Sequence, residues 1–382
     1  ELNDTGLSAS MDALWGSLQD LAVNPTNAGA RSVVVHRGIA LADTFNYFNS
    51  SLTKIRTDLK QELDVTIKNV NEVILPQIDD LNKSIKNLEI NGYLPNDLYD
   101  QRDNLIDQLS KLVDIEVEYP KSASHTSDMA QGLVTVKTNG IVLVDGETGE
   151  YNTISIHPNI DDPEFNYVES LQIDGQEITI TQDSQGEGTI QSLIKAYGYQ
   201  DGEQIKGDYI EMQGILKNMA EVFFAEFNRV NNEEHDFFII NEENGKITVN
   251  QAIIDDPNLI AVGEDGTTTD GSNALRLADV FDKELTFGTG DQAKTASVKD
   301  YYASVIGALA VQTEDANRMN TNTNVLLTQL DGQRQSISSV SLDEEMTNMI
   351  KFQHAYNAAA RSMTATDELL DRIINNLGLV GR

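Results

Sequence analysis

From Leu342 onward, apolar residues recur at alternating steps of four and three: Leu342, Met346, Met349, Gln353, Tyr356, Ala360, Met363, Asp367, Leu370, Ile374 and Leu377. Only Gln353 and Asp367 interrupt the ladder. A period of 3.5 sustained this long predicts a helix that packs along its length against another helix. Residues between the seam positions, such as Asn357, Arg361, Thr364 and Arg372, are polar, so the helix has one sticky face. That face would be covered either by a neighbouring subunit or by the protein's own core. At the other end, Leu7, Met11, Leu14, Leu18 and Leu21 predict a helix behind Ser8 or Ser10 as cap, stopping at Asn24-Pro25. Between Gly38 and Leu88 there is no glycine, and Leu41, Phe45, Leu52, Leu59, Ile67, Ile74, Ile78 and Ile85 keep a helical spacing. This predicts a rod helix of roughly 50 residues or more, kinked or broken at Pro76. Gly92 and Pro95 mark a turn, after which Asn96 would cap a helix carrying Leu98, Leu105, Leu109 and Leu112. Three such helices are expected to form an antiparallel bundle.

At Asp114 the period changes to two. Ile115, Val117 and Tyr119 alternate, and Val134–Val136 and Ile141–Val144 flank Asn139-Gly140, a strong hairpin signal. Short strand patterns continue at Ile154–Ile156, Leu171–Ile173 and Glu177–Thr181. Helical spacing returns after Gly188, with a longer helix expected from about Gln204 to Asn231, loops and short strands over 237–290, and a last helical run from near Ala296. The expected fold is α+β, elongated and multi-domain: a long antiparallel helical bundle or coiled coil with an inserted, mainly-β domain. The division is 1–115 (helical rod, first part), 116–188 (inserted β domain, folding independently), 189–335 (helical rod, second part) and 336–382 (C-terminal amphipathic axial helix).

Charge sharpens this picture. The net charge of −34 argues against DNA, RNA and anionic membranes as partners. Residues 116–300 carry 35 acids against 11 bases, so the middle is a self-repelling solvated surface and packing is left to the ends. Cysteine is absent, and no apolar run is long enough to span a membrane. The histidines, His36, His125, His157, His235 and His354, show no metal-binding spacing. Asp265, Thr267, Thr269 and Asp270 echo a calcium loop, but without the ligand order or closing Glu of an EF-hand. No nucleophile elbow and no phosphate-cradling loop is present. The expectation is a structural protein with no catalytic, cofactor or metal site. Its functional residues would be the assembly face Leu342, Met346, Met349, Tyr356, Ala360, Met363, Leu370, Ile374 and Leu377.

Two segments resemble a known family. Asn96-Asp97-Leu98-Tyr99-Asp100-Gln101-Arg102-Asp103, followed by Gln108-Leu109-Ser110, is similar to a segment of the flagellar hook-associated protein 1 family. The close, Val340–Met346 and then Gln353–Arg361, resembles that family's C-terminal end, a pattern shared with flagellar axial proteins more widely. Weaker likenesses at Leu18–Pro25 and Asn250–Ala261 extend the resemblance over nearly the whole chain.

The resemblance implies a junction adaptor joining hook to filament, located outside the cell on the bacterial flagellum and exported by the flagellar secretion apparatus without a cleaved signal peptide. Implied partners are hook protein, the second junction protein, flagellin, an export chaperone gripping the C-terminal helix, and further copies in a ring. It also implies an N-terminal helix that this chain lacks. In the isolated protein the ladder is therefore expected to be poorly ordered after about residue 336, or to pair artificially. Two other readings stand beside it: an extracellular hydrolase or adhesin acting through the acidic β segment, and a sibling hook or rod protein.

Overall fold

The computed structural model describes residues 6–124, 126–159, 166–178, 180, 188–231, 235–241, 245–263, 269–288, 290, 293–338 and 342–376. It divides into two units, 1–303 and 304–382. In the first, α1 (Leu7–Val23) turns back into α2 (Ala28–Asn69). Asn27 caps α2, its Oδ1 accepting from the N–H groups of Gly29 and Ala30 at 2.9 and 3.3 Å. α1 begins after Gly6 with no side-chain cap, so Ser8 and Ser10 lie inside the helix instead of capping it.

Pro76 does not break the rod. α2 continues through a π-helical turn, Val70–Ile74, into α3 (Leu75–Ile90). Proline lacks an N–H and crowds the carbonyl four residues back; one wide turn just before it accommodates both. The continuous helix is about 95 Å long, against about 25 Å for α1 and for α4 (Asn96–Leu112). Helices so unequal cannot form one three-helix bundle. α1 packs on α2 and α4 packs on α3, each on its own stretch of the rod.

β1 (Glu116–Glu118), β2 (Thr135–Thr138), β3 (Ile141–Asp145) and β4 (Glu150–Tyr151) form one antiparallel sheet in that order. Asn139 and Gly140 have φ of 49° and 77°, as a type I′ hairpin requires. In the second sheet β5 (Ile154–Asn159) pairs with β6 (Tyr167–Ile173), which also holds β7 (Gln176–Ile178). After α5 (Thr189–Tyr197), β8 (Tyr199–Asp201) joins β6 in parallel, and β9 (Gln204–Lys206) closes the edge. The helix expected from Gln204 therefore starts later: α6 spans Asp208–Asn231. Gly207 separates strand from helix with φ 137°, at a point where a Cβ would lie 2.6 Å from Gly198 Cα.

The β segment does not have a core of its own, contrary to the expectation of an independent insert. Ile67, Val70, Ile74 and Ile78 of the rod and Leu109 of α4 share one apolar core with Val136 and Leu143 of the first sheet and Val168 and Leu171 of the second. Asparagines fasten the strands to the rod. Asn82 Nδ2 donates to Val134 O at 2.8 Å while its Oδ1 accepts from Val134 N at 3.0 Å. Asn71 does the same to Ile154 (2.7 and 2.9 Å), and Asn46 to Ile247 (2.7 and 2.9 Å). Each side-chain amide stands in for a neighbouring strand, supplying one donor and one acceptor.

The rest of the unit closes on a phenylalanine core. β10 (Phe238–Ile240), β11 (Ile247–Val249), α7 (Gln251–Asp255), α8 (Ser272–Asp279), β12 (Leu285–Phe287) and β13 (Lys294–Ala296) are short pieces around α6. Phe224 meets Phe238 at 4.2 Å and Phe45 at 5.2 Å, and Phe223 meets Phe281 at 4.9 Å, all fully buried. Gly38 admits the Phe237 ring, which would lie 2.5 Å from any Cβ there. The root of α9 (Val298–Ser338) belongs to this unit: Val298 is buried, Tyr301 stacks on Phe287 at 4.3 Å, and Lys299 sits over Trp15 and bonds Asp12. Ser297 caps it, accepting from Asp300 N at 3.1 Å.

Candidate assembly faces

α10 (Leu342–Asn376) contains most of the predicted ladder. Asp343, Glu344 and Glu345 occupy its first turn, where carboxylates favour the positive end of the helix dipole. Leu342 opens the helix and Ile374 lies in its last turn; Leu377 lies outside the described residues. Met346, Met349, Tyr356, Met363 and Leu370 are between 51% and 76% exposed, and Ala360 is exposed too. Ile350 and Phe352, on either side of the seam, are also exposed and widen the stripe. Residues 342–376 form one continuous helix.

The sequence reading missed a second ladder, on α9. Val305, Leu309, Gln312, Ala316, Met319, Thr323, Leu326, Leu330 and Gln333 step by four and three. Met319, Leu326 and Leu330 are about as exposed as the seam of α10. The same stepping would have found it, but three of the nine positions are polar and dilute the signal. An ordinary surface helix buries its apolar stripe, as α1, α4 and α6 do. In the second unit Met319, Leu326 and Leu330 of α9 and the seam of α10 from Met346 to Leu370 stay uncovered, while Val305 and Leu309 are half-buried.

The Asn96–Asp103 segment works inward. Arg102 is fully buried, donating from Nη1 to Gly132 O at 2.8 Å and from Nη2 to Gln131 Oε1 at 3.2 Å, with its guanidinium over the rings of Tyr99 and Tyr119. Glu89, also buried, accepts from Tyr99 Oη, Ser122 Oγ and Gly132 N. Burial and the bond to Glu89 push the Tyr99 hydroxyl up to about 12. This network ties the 119–133 loop to the α3–α4 hairpin. Among the described residues no group of His, Asp and Glu could hold a metal. His36, His157 and His354 are exposed and His235 is half-buried, while His125, Asp265 and Thr267 lie outside the described residues. Asp270 accepts from Ser272 N in an ordinary turn. No helix among the described residues is long and apolar enough to cross a membrane.

A family model described as the flagellar hook-associated protein FlgK helical domain matches residues 1–246. Flagellar hook-associated protein 1 of Bacillus subtilis (strain 168) is 41% identical over 408 residues, covering all of this chain and 78% of that protein. The chain belongs to the flagellar hook-associated protein 1 family. The family's Escherichia coli (strain K12) member is 23% identical, over 97% of this chain and 81% of its own length. A second model, the flagellar basal body rod FlgEFG protein C-terminal, matches 332–377, which includes the α10 ladder. A solved structure, the flagellar hook junction protein FlgK from Burkholderia pseudomallei, is similar at TM-score 0.46 and 22% identity, covering 60% of this chain and 38% of that one. As a member of this family the chain is a structural, hook-associated junction component of the bacterial flagellum that works among other axial components. The hydrolase, adhesin and sibling hook or rod readings are set aside.

Proposed function

We propose that the exposed seams of α9 and α10 are the faces by which the chain packs among its axial neighbours, closing a ring between hook protein on one side and the second junction protein and flagellin on the other. In this reading the chain is not an enzyme, and the acidic 116–188 segment faces the medium. The α10 seam is also the grip for an export chaperone before the chain passes through the flagellar secretion apparatus. One observation carries the reading: two long helices keep regular apolar seams uncovered where α1, α4 and α6 bury theirs. Apolar area contributes roughly 25 cal/mol per Å² once removed from water, so these seams stabilise an assembly and do little for a lone chain.

Leu370→Asp tests it. Leu370 is half-exposed in the free chain, so the carboxylate costs little there. In the assembly it would be buried without a partner, at several kcal/mol per subunit. Filament growth should fail while the melting temperature of the free chain stays put. Thr364→Asp, beside the seam, is the milder control. Normal swimming by cells with Leu370→Asp would remove α10 as an assembly face.

A further inference from the structure

The α3–α4 hairpin ends in an uncharged apolar knob. Leu88, Ile90, Tyr93 and Leu94 all stand exposed there, Tyr93 at 67%. Residues 88–96 contain one charged side chain, Glu89, and it points inward to Tyr99 and Ser122. The knob is rigid. Gly92, at φ 81°, donates its N–H to Glu89 O at 3.0 Å, and Tyr93 N donates to Leu88 O at 3.0 Å, the pairing that closes a helix through a left-handed glycine. The buried Arg102–Glu89 network then fixes the adjoining loop. About three turns down the same hairpin, between α3 and α4, lies an open groove of about 410 Å³. Leu81 and Leu105 form its half-buried floor, amides and a serine between Gln77 and Gln108 form its rim, and Asp80 is its single charge.

We infer that the knob of one copy seats in the α3–α4 groove of the next, giving a head-to-tail contact between copies of this chain. Charge selects the occupant. Two chains at −34 repel over most of their surfaces, and a basic partner would prefer the acidic ones. The knob and the groove are nearly neutral, and one is convex where the other is concave. A knob-to-groove contact is heterologous, so each copy uses both surfaces and the contacts propagate into a ring or a helix. The neighbouring copy would be shifted roughly 15 Å along the hairpin, from groove centre to tip. The contact is small beside the roughly 1,200–2,000 Å² of a stable interface, so it orders copies held together by other faces. It rests on the ring reading above.

The chain has no cysteine, which makes the test clean. Asn91→Cys marks the knob and Asn104→Cys the groove rim, both exposed and neither part of the apolar contact. With a short bismaleimide, the double variant should give a ladder of dimers, trimers and higher species, in purified flagella and in concentrated solution. Each single variant should stay monomeric, and mixing the two singles should give one dimer band. Adding Tyr93→Asp should weaken the ladder roughly tenfold or more, since it places a carboxylate in the groove. A dimer from Asn91→Cys alone would mean knob meets knob, and a double variant that stays monomeric in both preparations would mean no such contact; either overturns the inference. Absence of the chain from purified flagella would instead fail the assembly reading, and the solution ladder would still decide this one.

Discussion

Asn82→Ala puts a number on the device that holds the β segment to the rod. Asn82 is 1% exposed, and both of its bonds go to the backbone of Val134, itself fully buried. Truncation leaves an N–H and a C=O without partners in an apolar layer. Each stranded group costs about 1–3 kcal/mol, so the loss is about 3 kcal/mol or somewhat more, large against a typical total of about 5–15. Urea unfolding followed by helical circular dichroism and by the single tryptophan, Trp15, measures it. Asn87→Ala, exposed on the same helix, is the control and should change stability by less than about 0.5 kcal/mol. Asn82→Asp separates hydrogen bonding from packing. An ionised carboxylate accepts from Val134 N but opposes Val134 O, whereas the protonated acid offers both donor and acceptor. The buried acid's pKa is raised above its unfolded value, so the deficit of Asn82→Asp relative to wild type should shrink as pH falls. A loss under about 1 kcal/mol for Asn82→Ala, or an Asn82→Asp deficit that ignores pH, would refute the clamp.

Two further outcomes follow from the same structure. Glu226 accepts from Arg229 at 2.6 and 2.9 Å and from Lys283 at 2.7 Å, and these partners, Arg229 first, hold its carboxyl down to about 2 against the opposing effect of burial. A depressed pKa contributes stability above the unfolded value that is lost as pH falls through the folded one; Glu226→Gln should therefore destabilise at pH 7 and match wild type near pH 2 in paired urea titrations, and a pH-independent difference would exclude the ion pairs as the cause. Replacing 116–188 with a Gly/Ser linker should abolish the cooperative melt of the helices, because Ile67, Val70, Ile74 and Ile78 would lose their cover; a retained melt would show that the rod carries its own core.

What was legible in the sequence is what depends on a single element. The seam of α10, the hairpin at Asn139-Gly140 and the glycine-free rod all follow from periodicity or from one turn's backbone needs. What was not legible depends on two elements at once. Asn46, Asn71 and Asn82 read as polar surface positions, yet each turns its amide to the backbone of a β segment packed on the rod. Their role appears only when unpaired strand backbone is set against the rod. The shared core was hidden for the same reason: the apolar faces of rod and sheet each look self-sufficient in one dimension. A switch of period marks a change of element, and it was read as a change of domain. At Pro76 the lost N–H and the crowded turn predict a kink or a break, while the π-helical turn at Val70–Ile74 supplies the room without ending the helix.

The same distinction explains the ladders. A helix that buries its stripe within its own chain needs only an approximate apolar face, since neighbours of many shapes can fill the gaps. A helix that meets a copy of another helix must keep one register over many turns, and a strict alternation of four and three records that demand. α10 keeps it from Leu342 to Ile374 with two interruptions, and α9 keeps it with three. The interruptions also carry meaning. Gln353 and Asp367 in α10, and Gln312, Thr323 and Gln333 in α9, each put a polar group into a seam that is otherwise free to slide. A buried polar group tolerates only registers in which it meets a partner. Replacing Gln353 and Asp367 together with leucine should therefore strengthen association of α10 with apolar helices while loosening its register. The polar positions in the ladder are as much a part of the assembly instructions as the leucines and methionines between them.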